Sequence, residues 1–143
     1  MSRPSYGSTA KLDDVTGSLQ TSSTRAGVGI VVRRPDGRIL VGRRVAEPGR
    51  PLAIPGGKLE GEETIEACGL RELAEETGIV AADGRVFAAA LDHGWLVAGV
   101  LVEVADADPQ VLEPDKFSDF AWIDPTDPPE LLFPLSAALL GHL

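Results

Sequence analysis

Apolar residues along the chain are gathered in short runs that turn residues separate, and this pattern predicts several buried strands. The run at 28–32 is typical of a buried strand. Pro35-Asp36-Gly37 then favours a turn, and the apolar run at 39–43 predicts a returning strand, so the two form a hairpin. Later strands are predicted at 86–91, 95–104 and 120–123.

Two stretches have helical signals. The pattern at 64–77 predicts a helix with acidic residues at its start, and Gly78 stands where a glycine commonly ends a helix. A second helix is predicted from Pro134, because proline is tolerated in a first turn. Strands and helices do not alternate regularly, so we expect an α/β fold in which helices pack on a mixed sheet.

The 143 residues suit a single domain. We expect residues 1–24, which are rich in Ser, Thr and Gly, to be a flexible tail, and residues 25–143 to form the domain. The longest apolar run is too short to span a bilayer, so no membrane partner is expected. A single cysteine, Cys68, excludes an internal disulfide framework and favours a cytoplasmic location.

The chain carries a net charge of −9, with 13 basic and 22 acidic residues. A protein of this charge is not expected to coat a nucleic-acid polymer, which requires clustered Lys and Arg. It can bind phosphates if divalent cations lie between its carboxylates and the substrate. Seven of the 22 acids fall between Glu60 and Glu76, so much of the acidity is local.

Three of these glutamates, Glu72, Glu75 and Glu76, are spaced so that they converge on one helical face. A solvated acidic face is the ordinary interpretation of a glutamate run. Like charges at this spacing repel, however, and a cation that neutralises them would explain the cluster. Oxygen ligands of this kind suit Mg²⁺ or Mn²⁺. Arg71 is expected to pair with Glu63 and to fix the preceding loop to the helix.

The same residues reproduce a known motif at every specified position. Gly57 is followed after five residues by Glu63, and seven residues later come Arg71-Glu72-Leu73, Glu75-Glu76 and Gly78-Ile79. This spacing resembles the box of the Nudix hydrolase superfamily. The resemblance implies the Nudix α/β/α sandwich around a mixed β-sheet, and Mg²⁺-dependent hydrolysis of a nucleoside diphosphate linked to another group.

The resemblance also implies a role for each matched position. Glu75 and Glu76 resemble the principal metal ligands, and Glu72 resembles a further ligand or base. Gly57 matches a glycine whose carbonyl often binds the metal. Arg71 and Glu63 match the ion pair that shapes the loop and helix. Further ligand or base candidates in a later loop are Glu113 and Asp115.

Within the superfamily, residues 38–79 look most like the MutT-like branch, which converts nucleoside triphosphates to monophosphate and pyrophosphate. Arg43 and Lys58 match the cations that contact phosphates in that branch. Asp115 and Phe117 are candidates for binding the base, and Trp95 and Trp122 are alternative stacking rings. The expected substrate is therefore a nucleoside triphosphate, including oxidised or non-standard ones, and homodimers are an expectation from the family.

Two alternatives stay open. The chain could hydrolyse ADP-ribose or another nucleoside diphosphate derivative, although the region of His93-Gly94-Trp95 lacks a proline often present in the ADP-ribose branch. It could also be a nucleotide sensor without turnover, which degenerate box glutamates would favour. None of those glutamates is missing here.

Overall fold

The structure is a computed structural model that describes residues 8–9 and 25–143. Its strands and helices are, in chain order, β1 (Ser8–Thr9), β2 (Arg25–Arg33), β3 (Ile39–Arg44), β4 (Leu52–Ala53), β5 (Gly56–Lys58), α1 (Ile65–Thr77), β6 (Arg85–Asp92), β7 (Trp95–Glu103), β8 (Phe117–Ile123) and α2 (Pro134–Leu140). In this part of the chain, no helix is both long and apolar enough to cross a membrane.

The strands form a mixed sheet in the order β1-β6-β7-β2-β3-β4, with β5 paired to β2 and β8 to β3. The central strands β2 and β7 run parallel over nine residue pairs, from Arg25 opposite Trp95 to Arg33 opposite Glu103. Neighbouring pairs such as β6 with β7 and β3 with β8 are antiparallel. The predicted hairpin of β2 and β3 is confirmed by the antiparallel pairing of Arg33 with Ile39.

Both faces of the central strands are buried, which explains why their apolar runs are continuous rather than alternating. On β2, Val28, Ile30 and Val32 face a core that includes α1 residues. Val31, between them, faces the second core, to which α2 contributes Leu139. The two helices therefore cover opposite faces of the sheet, and the predicted α/β sandwich is confirmed.

The short strand β5 contains two glycines and was not predicted as a strand, because glycine has a low strand propensity. Gly56 lies against β2 so closely that a Cβ there would collide with the carbonyl of Val28. A second contact of this kind joins Gly27 to the carbonyl of Gly57. The glycines therefore allow β5 to lie tightly against β2 and bring the following loop beside α1.

Two of the differences between the predicted bounds and the structure concern strands β8 and β1. Strand β8 begins at Phe117 rather than at residue 120, since Phe117 is buried and pairs with Arg44 of β3. In the predicted tail, Ser8 and Thr9 pair with Leu91 and Ala90 of β6. The remaining tail residues lie outside the described part of the chain.

Candidate active site

Helix α1 has a defined cap at each end, and the caps set which way its glutamates face. At the N-terminus the Thr64 hydroxyl accepts a hydrogen bond from the Ala67 amide, at 3.1 Å. At the C-terminus Gly78 adopts a left-handed φ of 76° and its amide donates to the Ala74 carbonyl. With the helix fixed in this way, Glu76 is buried, Glu72 is largely covered, and Glu75 is exposed.

Arg71 joins the preceding loop to the helix through a dense set of hydrogen bonds. Its Nε and Nη2 donate to the two carboxylate oxygens of Glu63, at 3.0 and 2.7 Å. Its Nη1 lies 3.0 Å from oxygens of both Glu72 and Glu75, and Nη2 also donates to the Lys58 carbonyl. The predicted pairing of Arg71 with Glu63 is therefore present, in bidentate geometry.

This pairing has a clear electrostatic effect. Hydrogen bonds from Arg71, which outweigh the opposing effect of burial, lower the pKa of Glu63 to about 2. The same hydrogen bonds raise the pKa of Arg71 above its already high ordinary value. The ion pair stays charged over the whole physiological pH range, so it can fix the loop whether or not a ligand is bound.

Glu76 has a different environment. Its side chain is fully buried, and Oε1 lies 2.9 Å from the ammonium of Lys116. The Gly56 amide also donates to Oε1, at 3.4 Å, and the Lys116 ammonium donates to the Gly56 carbonyl. The other carboxylate oxygen, Oε2, is buried and has no hydrogen-bond partner among the described residues.

Burial is the main influence on Glu76 and raises the pKa of its carboxyl group to about 7. The nearby Glu72 raises this pKa further, whereas Lys116 and the Gly56 amide act in the opposite direction. A buried carboxylate that keeps one oxygen without a donor is costly unless another group satisfies it. The structure therefore leaves one coordination position of Glu76 available.

Glu72 lies over strand β5, which contains Gly56 and Gly57. Its carboxylate packs over Gly57 so closely that a Cβ at residue 57 would overlap it. The glycine predicted from the motif therefore makes room for a carboxylate. The carbonyl that reaches Glu76 and Lys116 belongs to Gly56, while the carbonyl of Gly57 lies against Gly27 of β2. The predicted use of the Gly57 carbonyl as a ligand stays a prediction.

These groups fit a hard divalent cation by their chemistry. The set contains a buried carboxylate oxygen without a partner, the Glu72 carboxylate in its glycine cradle and the Gly56 carbonyl, all of which are oxygen donors. Among the described residues, the structure contains no group of three or more Asp, Glu, His or Cys side chains close enough together to hold a metal ion. The physical reason is that Arg71 and Lys116 already hold the carboxylates.

A cavity of about 690 Å³ opens beside this site. Its wall combines β5 residues, the site carboxylates, three cations and several rings, among them Gly56, Gly57, Glu72, Glu75, Glu113, Lys58, Lys116, Arg44, Trp95, Phe117 and Phe133. The Lys58 ammonium lies 5.4 Å from the centre of the Trp95 ring. A cavity with this mixture of acids, cations and rings can accept a phosphate-bearing aromatic ligand.

Some of the other predicted residues line the cavity and some do not. Glu113 and Lys58 line the cavity, and Phe117 does so from a buried position against Phe120. Asp115 is exposed and is not part of the cavity wall. Of the alternative rings, Trp122 packs under the guanidinium of Arg34, while Trp95 lines the cavity.

Arg43 lies apart from the cavity wall. Its guanidinium forms a bidentate pair with Glu130, at 2.7 and 3.2 Å, and also donates to the Arg50 carbonyl. The next residue, Arg44, lines the cavity instead and stacks over Phe133, with 5.0 Å to the ring centre. Its buried Nε has no hydrogen-bond partner among the described residues. Phosphate binding by Arg43 stays a prediction.

Sequence reasoning assigned no role to Lys116, and it favoured Gly57 and Arg43 over their neighbours Gly56 and Arg44. Lys116 reaches Glu76 because the loop before it is tied to the end of α1. The amides of Gln110 and Leu112 donate to the carbonyls of Thr77 and Glu76. No spacing in the sequence reveals this contact across 40 residues, and a lysine next to predicted acidic residues was the single available signal.

Cys68 is buried in the core beneath this site. Its thiol donates to the Lys58 carbonyl at 3.5 Å, and burial raises the pKa of the thiol to about 12. A thiol that stays protonated at neutral pH is a poor nucleophile. The cysteine therefore belongs to the packing of the loop.

Comparison with known proteins agrees with this geometry. The sequence profile of the NUDIX domain matches residues 23–140, which is nearly the whole chain. The chain belongs to the Nudix family. The predicted resemblance is thereby confirmed, together with the enzyme class, a hydrolase of phosphoric anhydrides. Family members act on nucleotide-type substrates and generally use divalent metal ions.

Solved structures and characterised relatives support the same assignment to the Nudix family. A MutT NUDIX hydrolase from Burkholderia pseudomallei is 28% identical, with a TM-score of 0.75, and the match covers 85% of this chain and 99% of that one. An RNA pyrophosphohydrolase of Novosphingobium aromaticivorans is 26% identical, covering 75% of this chain and 81% of the relative. The NAD-capped RNA hydrolase NudC of Vibrio atlanticus is 32% identical, and the match covers 71% of this chain but 38% of the relative.

Proposed function

We propose that this Nudix hydrolase cleaves nucleoside triphosphates to the monophosphate and pyrophosphate with the help of Mg²⁺ or Mn²⁺. The observation that carries the proposal is the buried Glu76 carboxylate, which keeps one oxygen without a partner among the described residues and pairs through the other with Lys116, one of three cations in the cavity wall. Because a carboxylate repels a polyphosphate, a divalent cation between the two would let the substrate approach.

Glu76, Glu72 and the Gly56 carbonyl would hold the metal. Glu75 stands beside them in the motif and stays a candidate ligand; both Glu72 and Glu75 bond Arg71, but Glu75 is exposed whereas Glu72 is largely covered. A bound divalent cation lowers the pKa of a water ligand and offsets charge on phosphate oxygens. Glu113, which lines the same cavity, is a candidate for a further ligand or for the base that accepts the proton of the attacking water.

The cations of the cavity would bind the triphosphate. Lys58 and Arg44 line the wall, and neither forms an ion pair with a box glutamate; Arg44 pairs with Glu47 instead, at 3.3 Å. Lys58 and Trp95 together offer a cation beside a ring, and Phe133 offers a second ring beneath Arg44. A nucleobase could stack on either ring while its phosphates lie near the lysines. Asp115 and Phe117 stay candidates for base recognition from the sequence.

One alternative substrate class has support from the relatives. One of them is named an RNA pyrophosphohydrolase and another an NAD-capped RNA hydrolase, so RNA is an alternative substrate. The acidic chain favours the free nucleotide, because phosphates of an RNA body would be repelled by a net charge of −9. ADP-ribose and other nucleoside diphosphate derivatives are a further class to be compared.

A substrate panel tests the proposal. The protein is incubated with Mg²⁺ and equal concentrations of the common and oxidised nucleoside triphosphates, ADP-ribose, NAD-capped RNA and triphosphorylated RNA. We expect monophosphate and pyrophosphate from at least one nucleoside triphosphate, and no turnover in EDTA. Faster cleavage of either RNA than of every free triphosphate would overturn the assignment, and so would binding of nucleotides without turnover, which is the behaviour of a sensor.

Domain bounds at 25–143 and a homodimer belong to the same proposal. A chain shortened to residues 25–143 should keep its turnover and its melting temperature. Light scattering of the full chain during size-exclusion chromatography should give about twice the mass of 15.0 kDa. A mass of 15.0 kDa would exclude the dimer.

A further inference from the structure

We propose that Lys116 is an exchangeable counter-ion of Glu76. The Lys116 ammonium must leave the Glu76 carboxylate before a divalent cation can bind there. This inference rests on the proposed metal-dependent function and adds a residue that the Nudix motif does not contain. The ammonium pairs with Glu76 Oε1 at 2.9 Å and donates to the Gly56 carbonyl. Both acceptors belong to the oxygen set that would hold the metal, so the two cations compete for the same ligands.

The surroundings of Lys116 allow its side chain to leave while its backbone stays in place. The Lys116 amide donates to the Glu113 carbonyl, and the Lys116 carbonyl accepts from the Val45 amide. The next residue, Phe117, is buried. The side chain of Lys116 is 30% exposed, whereas that of Glu76 is fully buried. The ammonium therefore lies on the open side of the pair, and lysine has the rotamer freedom to turn towards solvent.

Arg71 cannot act in the same way. Its guanidinium bonds Glu63 in bidentate geometry and also bonds Glu72, Glu75 and the Lys58 carbonyl, so release would break several hydrogen bonds at once. Lys116 has two acceptors, and its ammonium lies at the cavity wall where a polyphosphate would enter. Leaving Glu76 would make the ammonium available to phosphate oxygens in the same cavity.

The test measures metal affinity without substrate. Mn²⁺ is titrated into EDTA-stripped wild-type protein, Lys116→Met and Lys58→Met at pH 8, and free Mn²⁺ is followed by electron paramagnetic resonance. Lys58→Met is the matched control, because it removes one positive charge from the same cavity without touching Glu76. We expect Lys116→Met to bind Mn²⁺ about tenfold more tightly than Lys58→Met, since a competing cation has been removed.

A second measurement uses the wild-type protein and does not depend on the folding of a variant. Lysines are methylated with formaldehyde and a mild reductant, with and without saturating Mn²⁺, and the modified positions are read by mass spectrometry. We expect Mn²⁺ to increase the labelling of Lys116 severalfold while that of Lys58 changes little. The ammonium paired with Glu76 is protected, and the released one is open to the reagent.

The outcomes separate this inference from the proposed function. If Lys116→Met binds Mn²⁺ no more tightly than Lys58→Met, or if Mn²⁺ leaves the labelling of Lys116 unchanged, the ion pair is structural and the exchange is wrong, while the metal site stands. If the wild-type protein binds no Mn²⁺ at all, both the metal-dependent function and the exchange are wrong.

Discussion

Helix α1 carries two groups of charged side chains that differ in how fully they are satisfied. Around Arg71, three partly covered glutamates and the Lys58 carbonyl accept hydrogen bonds from one guanidinium, whose donors are all engaged. One turn further on, Glu76 is buried, has one lysine as its partner and keeps one oxygen without any. The same residue type, within eight positions of Arg71, is therefore used for two purposes along α1 and the loop before it.

The pH response of the two groups has opposite sign. The pKa of Glu63 is lowered to about 2, so its pairing with Arg71 stabilises the fold above pH 4.5 and is lost as the pH falls towards 2. The pKa of Glu76 is raised to about 7, so the folded protein holds a proton that the unfolded chain has released. Glu76 therefore destabilises the metal-free fold as the pH rises from 4.5 through 7. The Arg71 group therefore stabilises the fold, whereas the ionised Glu76 carboxylate destabilises it unless a cation binds there.

The largest effect is expected from Glu76→Gln. The amide keeps the shape of the side chain but removes the charge that a divalent cation needs, so kcat should fall by about 10³-fold or more, whereas the fold is kept. Glu66→Gln, an exposed glutamate in the first turn of the same helix, is the matched control and should keep kcat. Steady-state release of pyrophosphate measures both. Near-normal turnover of Glu76→Gln would remove this residue from the metal site.

Arg71→Ala tests the other group. It leaves Glu63, Glu72 and Glu75 without their shared cation, and we expect the free energy of unfolding to fall by about 2 kcal/mol. Arg71→Lys keeps the charge without the planar fork and should lose about half as much. Urea denaturation at pH 7 gives both values. If Arg71→Ala unfolds at the wild-type urea concentration, the network does not hold the loop to the helix.

The pH dependence of the unfolding free energy tests the environment of Glu76. In EDTA, the unfolding free energy of the wild-type protein should contain a decrease between pH 4.5 and 7.5 that Glu76→Gln lacks, of roughly 3 kcal/mol. The sign follows because the folded protein binds the proton of Glu76 more tightly than the unfolded chain does. Urea midpoints at half-unit pH intervals provide the measurement. Parallel profiles for the two proteins would show that the fold does not raise the pKa of Glu76.

The smallest expected effect separates the two neighbouring arginines. Arg44 lines the cavity, has a buried Nε without a partner among the described residues and forms one ion pair, with Glu47 at 3.3 Å, whereas Arg43 is held in bidentate geometry by Glu130 outside the cavity wall. We expect Arg44→Gln to raise KM for the triphosphate by about tenfold and Arg43→Gln by less than about threefold. Initial rates over a range of nucleotide concentrations measure both. The reverse order would show that Arg43 leaves Glu130 and binds phosphate, as the motif predicts.

Much of the fold could be predicted from the sequence, because both faces of β2 and β7 are buried and their apolar runs are unmistakable. The ends of α1 could also be predicted to within a residue, and in the structure Thr64 and Gly78 are its caps. Strand β5 could not be predicted, since its glycines form a strand through close pairing with β2 rather than through propensity. Spacing along one helix identified the box glutamates and Arg71. Lys116 and Arg44 could not be found in this way, because their roles depend on contacts between distant segments.

Metal binding to Glu76 is the central claim, and an Mn²⁺ titration of wild-type protein, Glu76→Gln and Glu66→Gln at pH 8 tests it most directly. We expect the wild-type protein and Glu66→Gln to bind Mn²⁺ with equal affinity, and Glu76→Gln to bind it at least about 30-fold more weakly, because one charged ligand is lost. Equal affinity of all three proteins would contradict the account, since the buried carboxylate would then have no part in holding the metal.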